Sequence, residues 1–79
     1  MVFIIVQVET YSGYKSDERP CAFLYQDKRH KVIEIVDRWY EGSIESNRAV
    51  INYFKVKTMD GAVFLLRHLF ESDRWELCQ

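Results

Sequence analysis

One proline, Pro20, and three glycines are all that interrupt the 79 residues. That scarcity excludes collagen-like and low-complexity classes, and also glycine-rich loops that cradle phosphate. Cysteine is nearly as rare. Cys21 and Cys78 share no ligand spacing with His30 or His68, so the sequence contains no zinc motif. The two could pair if strands near each end lay side by side; without an export signal, reduced thiols packed in the fold are expected. An excess of one charge is missing too. Eleven basic and twelve acidic side chains leave a formal net charge of -1, without the footprint of a duplex-binding protein. Apolar runs are short. The first, Met1 to Val6, has no basic leader or cleavage site and is broken by Gln7 and Glu9, so neither signal peptide nor membrane anchor is expected, and the expected compartment is the cytoplasm.

Large apolar side chains are abundant. A chain this short buries only about 60% of its unfolded surface, so a hydrophobic share of 48%, with 15% aromatic, is what one core needs in the absence of staples. A single domain over 1–79 follows.

Val2 to Thr10 alternates β-branched and other residues with period two, as a strand does. Tyr11 to Pro20 collects glycine, serines, charges and proline, and reads as a loop. Cys21 to Gln26 is a short apolar run, and Asp27-Lys28-Arg29-His30 reads as a hairpin turn without glycine. Lys31 to Glu41 carries two patterns. As a helix, Val32, Ile33, Ile35, Val36, Trp39 and Tyr40 form one stripe ahead of Gly42. As a strand, Ile33, Ile35 and Trp39 share one face and Val32, Val36 and Tyr40 the other. The β-branched content and the absence of a capping residue favour the strand. Gly42 to Ala49 is a polar loop.

Val50 to Thr58 alternates again. Asp60-Gly61, between two alternating runs, predicts a two-residue type I′ turn that sets Thr58 opposite Val63, Val56 opposite Leu65 and Phe54 opposite Arg67. Glu71 to Arg74 turns into a last strand, Trp75 to Cys78. The fold class is therefore all-β: a small antiparallel meander of about six strands closing into a partly open barrel, which hides the edges of a flat sheet.

Arg19-Pro20-x-x-Phe23, His30-Lys31-Val32, Glu34-Ile35-Val36-Asp37-Arg38-Trp39, Tyr53-Phe54-Lys55-Val56 and Asp60-Gly61-x-x-Phe64 follow one another in this order. The set, covering most of the chain beyond Glu18, resembles a family of short uncharacterised bacterial domains. The resemblance implies a fold and a bacterial cytosolic setting, and carries over no catalytic residue.

No nucleophile signature, metal-ligand set or phosphate loop is present, so neither enzymatic activity nor a cofactor is expected. Two binding readings remain. Aromatic residues in excess of what a small core holds, Tyr11, Tyr14, Tyr40, Tyr53 and Phe64, favour a protein-interaction or self-association module. Asp37-Arg38-Trp39 could stack or fork a ligand, though the structural reading has Trp39 in the core and Glu34 or Asp37 paired with Arg19 or Arg38. The alternative is a single-stranded nucleic-acid module, in which Lys28, Arg29, Lys31, Lys55 and Lys57 interleave with Tyr25, Tyr53 and Phe64. The candidate binding surface is thus Lys28, Arg29, Lys31, Arg38, Tyr40, Tyr53, Lys55, Lys57 and Phe64. Neither a membrane nor a small-molecule substrate is expected.

Overall fold

A computed structural model of the chain describes residues 2–12, 18–42, 50–70 and 72–79. Tyr14, the loop expected over 43–49 and Glu71 lie outside the described residues. Six antiparallel strands, β1 (Phe3–Ser12), β2 (Glu18–Tyr25), β3 (Lys28–Glu41), β4 (Ile51–Thr58), β5 (Val63–Leu69) and β6 (Arg74–Cys78), follow one another around a closed barrel. The ring is completed by β1 pairing with β6, from Phe3 opposite Cys78 to Val6 opposite Trp75. The radius of gyration of 12.6 Å is that of a compact chain of this length. No helix among the described residues is long and apolar enough to cross a membrane.

The barrel is filled by Phe23, Phe54, Val56, Leu66, Trp75 and Leu77, with Ile4, Val6, Val8, Tyr25, Val32, Ile35 and Phe64 packed around them. Period-two alternation delivers these residues from β1, β4, β5 and β6, with β5 in the opposite phase to the expected one. Cys21 and Cys78 are free thiols. They flank opposite ends of β1, since Cys78 faces Phe3 whereas Cys21 donates its S–H to the Glu9 carbonyl (3.2 Å). Six residues of strand, about 20 Å, separate the two levels, too far for a disulfide.

The turns exchange the roles that the sequence suggests. The type I′ geometry sits at Gln26-Asp27, where both residues have positive φ (53° and 61°) and Tyr25 pairs with Lys28. Lys28 to His30 are consequently strand rather than turn. The Asp60-Gly61 hairpin has instead a three-residue loop, Met59 to Gly61, in which only Gly61 takes a positive φ (86°). The Thr58 N–H donates to Ala62 O and the Gly61 N–H to Thr58 O, each at 2.9 Å. The Thr58 hydroxyl also donates to the Asp60 carboxylate, which ties Asp60 back to the strand end. This geometry, a tight turn closed by a left-handed glycine, moves the register by one residue from the expected one. Val56 faces Phe64, Phe54 faces Leu66 and Tyr53 faces Arg67. Phe64, Leu66 and His68 accordingly take the inner side and Val63, Leu65 and Arg67 the outer one.

Candidate interaction surface

The strand β3 corrects the expected phase. Two register shifts against β4, between Val32 and Glu34 and between Ile35 and Asp37, leave Ile33 and Val36 as extra residues in two-for-one bulges. They lie three positions apart. Period two therefore becomes period three over this stretch, with Val32, Ile35 and Arg38 turned inward and Ile33, Val36 and Trp39 left 55%, 46% and 40% exposed. Neither assignment of faces made from regular alternation holds, and Trp39 does not fill the core. The helical stripe in the sequence was the trace of these bulges, because a twice-bulged strand and a helix both collect residues spaced by three.

Among the described residues, β2 pairs with β3 only from Lys28 to Lys31, and from Val32 onward β3 is paired with β4 alone. The exposed stripe thus runs beside the outer margin of the sheet. Trp39 lies parallel to Tyr53 (ring centroids 5.3 Å apart, 6° between planes). Tyr53 donates its hydroxyl to Glu41 Oε2 (2.5 Å). That bond holds its pKa above the ordinary tyrosine value, with burial adding to the effect and Arg67 opposing it. Arg67 continues the row. It donates to Glu76 Oε1 (2.6 Å) while its guanidinium lies 3.6 Å from the centroid of the Phe3 ring. Burial pulls its pKa down, but hydrogen bonds to Glu76 and Tyr53 outweigh that and keep it raised. Glu76 is itself buried and also meets Arg74 (3.3 Å), so the charge is compensated.

Phe64 belongs to the interior, edge-on to Phe23 (5.2 Å, 76°) with His30 beside both; the register shift placed it there. Tyr25 is in the same interior group, so neither ring interleaves with cations at the surface. Arg38 lies 4.9 Å from the Phe54 ring centroid at an end of the barrel, with Tyr40 exposed next to it. Asp37 accepts the Arg38 N–H (2.8 Å). Lys55 and Lys57 are exposed, facing Asp37 and Glu34 across the β3–β4 ladder. Arg29 is bound to Glu9 (2.6 Å). Arg19 lies over Tyr11 rather than against a β3 acid.

Lys28 and Lys31 border a cleft of about 430 Å³ beneath the β4–β5 turn, with His30, Met59 and Asp60. Arg29 lines the same cleft, and of the residues expected in a basic and aromatic patch Tyr25 and Phe64 are turned inward. Among the described residues, no three histidines, cysteines or acids converge on a metal position. Ile33 and Val36, which the sequence reading set on opposite faces of a regular strand and left out of the candidate surface, are both exposed. Their spacing with Trp39 was the available signal. No family model matches the chain, nor does any curated protein or solved structure.

Proposed function

We propose that this chain is a non-catalytic binding module that acts through protein–protein contact, made by the outward row of Ile33, Val36 and Trp39 on β3. The observation that carries this reading is the exposure of three large apolar side chains in line on one strand. A single exposed aliphatic residue needs no explanation, but a row ending in an indole braced by Tyr53 has the composition of an interface anchor. A braced ring also loses little side-chain entropy on contact. The charge pattern supports the same reading over the nucleic-acid one. Arg29 is paired with Glu9, and Lys55 and Lys57 lie opposite Asp37 and Glu34 in the ladder, so the strand surface mixes both signs rather than presenting a run of cations to a phosphate backbone.

Two variants separate the readings. Ile33→Ser should abolish retention of protein partners on the immobilised chain, while Lys28→Ala with Lys31→Ala leaves it unchanged and insensitive to salt. Salt-sensitive retention of single-stranded oligonucleotides, lost in the lysine variant and kept in Ile33→Ser, would replace the proposal with the nucleic-acid reading.

A further inference from the structure

The cleft beneath the β4–β5 turn, about 430 Å³ in volume, is lined by Lys28, Arg29, His30 and Lys31 from β3 and by Met59 and Asp60 from the turn. Three cations stand there with a single acid. That acid is engaged elsewhere, since the Asp60 carboxylate accepts the Thr58 hydroxyl, and Arg29 is likewise taken by Glu9. Among the described residues Lys28 and Lys31 enter no ion pair, which leaves two ammonium groups to the cleft.

The donors approach from three sides. Alternation along this part of β3 puts Lys28 and His30 on one face and Lys31 on the other. The strand margin runs between them. Lys31 O accepts the Met59 N–H (2.9 Å), so the backbone groups of Arg29, two residues back on the same margin, face the same turn. Donors on two faces and on the edge between them suit a tetrahedral anion, whose oxygens point in several directions, better than a planar carboxylate. Apolar contact lies next to them. Met59 is 73% exposed at the rim, and the His30 ring is fixed by stacking on Phe23 (5.2 Å, 15°), with no hydrogen bond to its nitrogens among the described residues.

We infer that this cleft binds a small phosphate monoester, its dianionic phosphoryl group between Lys28 and Lys31 and its body against Met59 and His30. The volume is that of a small-molecule site. The inference goes beyond the interaction reading and does not depend on it. A phosphodiester strand fits less well, because the cations are confined to the cleft. Beyond it Lys57 lies opposite Glu34 and Lys55 opposite Asp37, so a polyanion finds no continuous track. A compact dianion needs none.

Calorimetric titration with phenyl phosphate, read together with the amide spectrum of the labelled chain, tests the inference. Phenyl phosphate should bind saturably and move the Arg29 amide. Phenyl sulfate, of the same shape with a single negative charge, should bind about tenfold more weakly, and Lys28→Ala with Lys31→Ala should weaken phenyl phosphate by about tenfold or more. Lys55→Ala, outside the cleft, should leave the affinity within about twofold of wild type. All three lysines are exposed, and an unchanged thermal midpoint checks that each variant is folded. Titration without saturation, or an affinity in the double-lysine variant within about twofold of wild type, overturns the inference. Equal competition by an oligonucleotide that has no terminal phosphate overturns it too, and would return the cleft to the nucleic-acid reading.

Discussion

Thr58 is fully buried at the end of β4, and its hydroxyl decides more of the structure than its size suggests. It holds the Asp60 carboxylate inside the three-residue loop that stands where Asp-Gly invites a two-residue turn, and one residue of register goes with that loop. The same bond holds the Asp60 carboxyl below its ordinary pKa, against an opposing burial effect and with help from the Ala62 and Asp60 amides and the Lys28 charge. Glu9 is held low in the same direction by the hydrogen bond from Arg29, which outweighs its own desolvation. A carboxyl whose folded pKa lies below its unfolded value adds stability that is complete above the unfolded range, about 4, and is lost as pH falls through the folded value. Urea midpoints should therefore be independent of these two groups from pH 7 to about pH 5 and fall below about pH 4. The double variant Glu9→Gln, Asp60→Asn should have a shallower acid limb. Both carboxyls are exposed, so the difference should shrink in high salt. An acid limb identical to wild type would refute this assignment.

At the scale of the element, β3 is a long strand that must serve two neighbours, β2 at its start and β4 over the remainder. Bulges bend and twist a strand, which is what passage between two partners in a small barrel requires. Their side chains are dispensable to the core. Deleting Val36 leaves Ile35 opposite Val56 and Asp37 opposite Lys55, with Ile35 and Arg38 still inward and Trp39 still outward. The deletion should therefore cost less than Ile35→Ala, which removes part of the packed interior and should cost about 2 kcal/mol. Chemical denaturation of the two variants gives the order directly. The reverse order would mean that the bulge supports the core rather than the surface.

At the scale of the molecule, stability depends on the seam where β6 joins β1. Leu77 is almost fully buried and faces Ile4 on one side and Leu66 on the other. Leu77→Ala should cost about 3 kcal/mol, a large part of the roughly 5 to 15 kcal/mol typical of domains. Because the barrel is a closed ring, amide exchange should accelerate in β1 and β5 together rather than in β6 alone. Acceleration confined to β6 would mean that closure is not cooperative.

The sequence by itself made an all-β chain of about six strands the favoured reading, with Lys31 to Glu41 open between strand and helix and the facing ends of β1 and β2 taken for loop, because alternation and β-branched content are local properties that each segment expresses alone. It placed one tight turn at Asp60-Gly61, but took Lys28 to His30, which are strand, for part of the other. What the tertiary structure decided was phase. Whether Phe64 points inward depended on the length of the β4–β5 loop, and whether Trp39 points outward depended on where β4 could pair with a strand carrying two extra residues. Inside and outside are set by the partner strand's spacing. For this reason Ile33, Val36 and Trp39 were visible in the sequence as apolar residues, yet became a surface only once the barrel had closed.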